Sequence, residues 1–269
     1  MDAFQVVEYG SIALSLFFFA LGSVFDLKTR EVPDKVWLVY GPTGLVLTVY
    51  RLTLEPSTVI LALASMGLAT LASFGLFYFG LFGGADAKAI ICLGLTLPLA
   101  PTSYRVGVGF VLPFFPVSVL LLGYVSSVSI VVWIGVRNLL AYWRQRSALF
   151  AGLEHESRWR KILAALTGYT DDIPALERTF YLYPMEEVVE ETNEARRRFH
   201  FLFDAESDRG VMVSKFVEAL KKVGSPHRVW VSPGLPMLVF IFIGLIITVT
   251  LGDVIFYAIF RTILFHQLI

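Results

Sequence analysis

Residues 4–25 read FQVVEYGSIALSLFFFALGSVF and run directly into DLKTREVPD, residues 26–34. The first segment approaches the ~20 apolar residues needed to cross a bilayer. The second is polar, ends in Pro33-Asp34, and places a carboxylate, Asp26, immediately after the apolar run. Further apolar runs follow at about Pro33 to Leu54, Thr58 to Phe82, Ala87 to Ala100, Val106 to Asn138 and Gly234 to Phe260. The expected fold is therefore an all-α polytopic membrane protein with six transmembrane helices. The fourth run is closed by Pro98 and Pro101, and its ~14 residues rise only about 21 Å. It begins just beyond a second carboxylate, Asp86, in GGADAK (Gly83 to Lys88).

Composition agrees with this reading. Of 269 residues, 56% are hydrophobic and 16% charged, whereas soluble domains are about 45–50% apolar. Lys plus Arg equal Asp plus Glu at 22 each, so no net field favours nucleic acid. The single cysteine, Cys92, excludes an intrachain disulfide and a cysteine-built zinc site. His155, His200, His227 and His266 show no ligand spacing, and no metal is expected. No Lys or Arg precedes Lys28, while Asp2 and Glu8 are present. The first run thus lacks the basic start of a secretory signal and reads as a retained helix.

Charge also gives orientation. With the N-terminus outside, Lys28, Arg30, Lys35, Lys88, Arg137, Arg144 and Arg146 fall on the inner side, against Arg51, Arg105 and Arg261 on the outer. The excess of inner basic residues favours that topology. Both Asp26 and Asp86 then arrive on the cytoplasmic side. Three regions follow: residues 1–141 with five helices and both aspartates, a polar insert at 142–232, and the sixth helix in 233–269. Within the insert, Phe199, Phe201 and Phe203 alternate across Arg198 to Asp204, Arg178 to Tyr183 is strand-like, and Arg228 to Val231 reads as another strand. Val213, Phe216, Val217 and Leu220 have helical spacing, with Gly224 as the stop. The insert is a small cytoplasmic α+β domain.

Ionisable groups at a membrane boundary are costly and mark function. Two close carboxylates can hydrolyse a peptide bond when they share one proton: one takes a proton from water while the other polarises the scissile carbonyl. Asp26 and Asp86 are the catalytic pair in this reading, and no cofactor is required. Gly83, Gly84 and Ala85 form the substrate-facing loop, with Asp34 and Lys88 beside it as substrate-binding residues. The competing plain readings are an Asp26 ion pair with Lys28 or Arg30, a helix-capping Asp86, a simple turn at Gly83-Gly84, an Asp34 that caps the second helix, and a Lys88 that pairs with a carboxylate or only marks the inner side.

These segments resemble the prepilin peptidase group of the GxGD intramembrane aspartyl proteases, most closely its archaeal preflagellin (prearchaellin) branch. The group carries one catalytic Asp in Asp-x-[Lys/Arg]-x-x-x-[Ile/Val]-Pro-[Asp/Asn], matched by Asp26, Lys28, Val32, Pro33 and Asp34. Its second ends the GxGD motif, with Lys two residues later, matched by Gly83, Asp86 and Lys88; Ala85 replaces the last glycine. The approach to the final helix, Val229-Trp230-Val231-Ser232-Pro233-Gly234-Leu235-Pro236, is similar to the archaeal architecture as well. The resemblance implies removal of a short basic leader from archaellin or type IV pilin-like precursors at the cytoplasmic membrane face. Asp34, Glu31 or acids of the insert would attract that leader. Without the paired cysteines of bacterial relatives, no N-methyltransferase activity is expected.

Two other functions compete. A presenilin or signal-peptide-peptidase-like enzyme would carry Tyr where Phe25 stands, and its Pro-Ala-Leu tripeptide would lie near the site, whereas Pro174-Ala175-Leu176 lies in the insert. A carboxylate-dependent ion or proton transporter would place acids near the midplane and show helix repeats. Glu8 and Asp253 read as packing or interfacial residues, and Phe17 to Phe19 as lipid or helix contacts. Oligomeric state is not legible.

Overall fold

The structure is a computed structural model that describes residues 1–103, 107, 110–145, 149–191, 194–201, 209–224 and 227–266. Phe203, Asp204, Arg105, Val106 and Arg146 lie outside the described residues. The first half is helical: α1 (Ala3–Thr29), α2 (Asp34–Leu54), α3 (Val59–Tyr78), α4 (Gly84–Thr96) and α5 (Phe115–Gln145). Next come α6 (Arg158–Thr167), β1 (Tyr169–Asp172), α7 (Ile173–Arg178), β2 (Leu182–Pro184), β3 (Glu186–Glu191), β4 (Glu194–Phe199), α8 (Arg209–Leu220) and β5 (Arg228–Pro233). The chain closes with α9 (Met237–Thr250) and α10 (Val254–His266). Among the described residues, Ala3–Thr29, Pro56–Tyr78 and Phe115–Arg144 are long and apolar enough to cross a membrane. This is a membrane protein.

Two compact units are formed, Met1–Ser127 with Pro236–Ile269, and Val128–Leu235. The first boundary falls inside α5. In the first unit α4 is the central element, packed by α1, α2, α3 and α9. Its Ile90 and Leu93 are buried with Phe19, Tyr40, Leu238 and Ile241. Small residues allow the close approach that membrane helices use in place of a hydrophobic driving force. A Cβ at Gly41 of α2 would meet Cys92 Sγ at 3.1 Å, and one at Gly44 would overlap the Thr96 side chain. Outward-facing Phe17, Leu38, Val46, Leu63 and Leu71 leave an apolar exterior.

Two helix boundaries differ from the sequence expectation. The fifth helix begins at Phe115, because Pro98, Pro101 and Pro113 supply no N–H to a helical ladder and Leu99 instead pairs with Phe114. The expected sixth helix is two. Gly252 adopts φ 87° and its N–H donates to Ile247 O and Thr248 O, both at 3.1 Å, closing α9 with a left-handed residue. Asp253 then holds the turn, its carboxylate accepting from Leu112 N at 3.3 Å and from Ser118 Oγ.

The second unit contains an antiparallel sheet in the order β1-β5-β2 and the hairpin β3-β4. The expected insert lies within it. The helix expected around Val213 to Leu220 is α8, and the strand expected from Arg228 is β5. Gly224 has φ 83° and stops the turn after α8. Arg178 to Tyr183 is not one strand: Pro174 starts α7, Leu176 fills the core, and pairing begins only at Leu182. A buried Glu186 receives Arg197 Nε and Nη2 at 2.6 and 2.7 Å and also accepts Trp230 N at 2.6 Å.

Candidate functional site

Asp26 lies in the last turn of α1. That helix ends on Arg30 at φ 59°, whose N–H donates to Asp26 O at 3.2 Å. A left-handed conformation costs a non-glycine residue roughly 1–2 kcal/mol. Here it turns the arginine back over its own helix, placing Arg30 Nη1 3.7 Å from Asp26 Oδ1. The expected ion pair of Asp26 is therefore with Arg30. Thr29 Oγ1 donates to Phe25 O at 3.0 Å and Glu31 O at 2.9 Å, which keeps the turn tight. Val32 packs into the bundle and Pro33 is the N-cap residue of α2. Asp26, Val32 and Pro33 of the first motif thus each have a place in the local structure.

Sequence reasoning missed a second support for Asp26. The backbone N–H of Leu238, in the first turn of α9, is within electrostatic reach of its carboxyl group, and Ser23 Oγ donates to Leu238 O at 3.4 Å. Pro236 offers no side-chain cap to α9. Asp26 therefore faces the positive end of a helix from the far end of the sequence. Its Oδ2 is buried without a hydrogen-bond partner among the described residues.

Asp86 stands in the first turn of α4, and its Oδ2 accepts Gly83 N at 3.1 Å. The capping role and the candidate catalytic role coincide on one carboxylate. Asp86 lies within electrostatic reach of both Asp26 and Arg30. Gly83 and Gly84 are not the turn, since neither has positive φ; the turn is made by Gly80 at φ 68°. Gly84 and Ala85 are already helical. Ala85 therefore occupies a position with no need for glycine's freedom, and alanine is the better helix former there. A Cβ at Gly84 would find nothing closer than Phe77 at 3.9 Å, so the helix start presents bare backbone.

Of the plain readings of Lys88, the structure shows the pairing with a carboxylate: its Nζ lies 2.6 Å from Asp34 Oδ1. Asp34 is the first residue of α2 and makes no cap bond. This exposed pair ties the two motifs together. Pro174-Ala175-Leu176 falls in α7 of the other unit.

A second cluster fixes the other end of α4. Glu8, 1% exposed, lies 2.8 Å from Arg51 Nη2 and accepts Thr102 N at 3.1 Å and Ser103 N at 2.8 Å. Arg51 reaches Leu99 O and Ala100 O at 3.5 Å. Thr48 Oγ1 donates to Thr96 O at 2.9 Å, and Ser65 Oγ donates to Pro98 O. Glu8 and Arg51 are thus buried partners, an acid and a base on neighbouring apolar runs. That signal was present in the sequence but gave no pairing.

The profile of the type IV leader peptidase family matches residues 12–135, which carry both aspartates. The profile described as archaeal peptidase A24 C-terminus type II matches residues 160–254. The chain belongs to the type IV leader peptidase family. As a member it is a leader-peptide-cleaving peptidase. It is similar to a preflagellin peptidase of Methanocaldococcus jannaschii, with 23% identity over 240 residues covering 87% of this chain and 90% of that one. A preflagellin peptidase of Methanococcus maripaludis is 22% identical over 255 residues, covering 92% and 96%. For this leader peptidase the similarity runs through the bundle and the insert alike.

Proposed function

We propose that this leader peptidase is an aspartyl endopeptidase in which Asp26 and Asp86 activate water. Its substrates are archaellin or type IV pilin-like precursors, from which it removes a short basic leader. The observation that carries the reading is that two carboxylates from separate motifs lie within electrostatic reach of one another, with Asp26 Oδ2 left unpartnered among the described residues. One carboxylate takes a proton from water while the other, protonated, polarises the scissile carbonyl. Arg30 lies beside Asp26, while Gly83 N holds Asp86. Gly84 and Ala85 offer an open helix start to an extended peptide, and Asp34 with Lys88 borders it.

The proposed topology has six membrane segments, the outer N-terminus and the cytoplasmic insert, with α9 and α10 together as the last segment. A leader then stays inside while its apolar helix enters the bilayer, which brings the cut to the inner boundary. No N-methyltransferase activity accompanies the cut, and membrane lipid is the other partner. The test is to incubate the purified chain with a precursor archaellin and identify the product by mass. Cleavage before the apolar segment that persists in chelator and disappears in Asp26→Asn and Asp86→Asn supports the reading. Unchanged cleavage in both variants, or loss of cleavage in chelator, refutes the proposed chemistry. Equal cleavage of a precursor stripped of its basic leader refutes the specificity.

A further inference from the structure

Two buried polar atoms near Asp86 have no hydrogen-bond partner among the described residues: Asp26 Oδ2 and the hydroxyl of Tyr124. A buried tyrosine hydroxyl normally finds a partner, and an orphan calls for an explanation. Tyr124 lies on α5, in the same unit as both aspartates. Its ring stacks on Phe82 at 5.7 Å between centroids and 7° between planes. Phe82 is itself buried and immediately precedes Gly83, whose N–H holds Asp86. The hydroxyl is also within electrostatic reach of Asp86 without being bonded to it. The ring is therefore fixed by the segment that fixes the carboxylate, while its polar end is left unused.

We infer that Tyr124 is a third group of the peptidase site, whose hydroxyl donates a hydrogen bond to the scissile carbonyl oxygen as charge develops there. The inference rests on the aspartyl reading. When water adds, its oxygen bonds to the carbonyl carbon and one carboxylate takes the water proton. The other carboxyl gives its proton to the carbonyl oxygen. Before that transfer is complete the oxygen carries negative charge, and Tyr124, which keeps its own proton, strengthens its hydrogen bond to it. On collapse the C–N bond breaks, one hydroxyl of the diol returns its proton to the ionised carboxylate as C=O re-forms, and the amine leaves with the proton held by the other carboxyl, which restores the pair. The preorganised donor matters because its place in the resting protein is already desolvated, so no reorganisation is needed during reaction.

Tyr124→Phe removes the hydroxyl and keeps the ring stack. In cleavage of a precursor with a basic leader, kcat should fall about 10- to 100-fold with KM changed less than about twofold, somewhat below a full oxyanion-hole loss. A non-cleavable peptide with a hydroxyl-bearing tetrahedral carbon at the scissile position should bind the variant at least about tenfold more weakly. Stability to unfolding should not fall, since the hydroxyl has no partner to lose. Wild-type kcat in Tyr124→Phe, or a change confined to KM, overturns the inference. Asp26→Asn in the same assay separates the two readings: if it cleaves as wild type does, the dyad fails. If Asp26→Asn is inactive and Tyr124→Phe is unimpaired, only the Tyr124 role fails.

Discussion

The Glu8–Arg51 pair offers the sharpest stability prediction. The side chains are 0% and 6% exposed, so neither charge is left to water when its partner is removed. Breaking a buried pair from one side costs about 3–5 kcal/mol. In Arg51→Met, Glu8 keeps the Thr102 and Ser103 N–H groups and the Ser103 hydroxyl, which places the loss near the lower end, about 3 kcal/mol. In Glu8→Gln, Arg51 keeps two carbonyls at 3.5 Å and the Phe4 ring face at 5.3 Å, giving a similar or larger loss. The double variant buries no charge and should cost about as much as one single, a coupling of ~3 kcal/mol. Equilibrium unfolding of the full chain in mixed micelles measures all three. Because the cluster anchors the end of α4 opposite Asp86, cleavage by the single variants should fall by up to about 100-fold, the scale of a 1 Å misplacement. Additive losses, or a single-variant loss under about 1 kcal/mol, would refute the buried pair.

Helix packing and the motif bridge give further tests. A Cβ at Gly244 would overlap Val119 O and lie 2.6 Å from Gly123 N, both backbone, so Gly244→Ala should destabilise by about 1–3 kcal/mol in the same unfolding assay. Gly10→Ala, with nothing within 4 Å, should instead stabilise by up to about 1 kcal/mol. The Asp34–Lys88 pair is 68% and 48% exposed, and Lys88→Ala should change stability by less than about 1 kcal/mol. If the pair aligns the two motifs, Lys88→Ala lowers cleavage and the exchange Asp34→Lys with Lys88→Asp restores it; an exchange no better than the single variant would show that the charges act separately.

Much of the bundle was legible because a period-free apolar run has few fates besides a membrane helix. Asp26 and Asp86 stood out for the same reason, as ionisable groups beside hydrocarbon. What was illegible depends on contacts between distant segments. The first turn of α9, at Leu238, comes within electrostatic reach of Asp26 from the last part of the chain, and no local pattern announces it. Arg30 adopts a conformation that sequence assigns to glycine. Gly83 and Gly84 suggested a turn by composition, yet Gly80 makes it, since the α3 end is set by where Leu81 N and Phe82 N return to Leu76 O at 2.9 and 3.2 Å. The break at Gly252 was hidden because hydropathy continues through it. A left-handed glycine and a buried Asp253 override that apolar continuity.

The central claim is that Asp26 and Asp86 act as one unit. Single-turnover cleavage of a precursor by wild type, Asp26→Asn, Asp86→Asn and the double variant measures it most directly. Groups that act together lose nearly everything when either is removed, so each single variant should be as impaired as the double. A single variant that keeps wild-type cleavage, or losses that multiply from singles to double, would contradict the account.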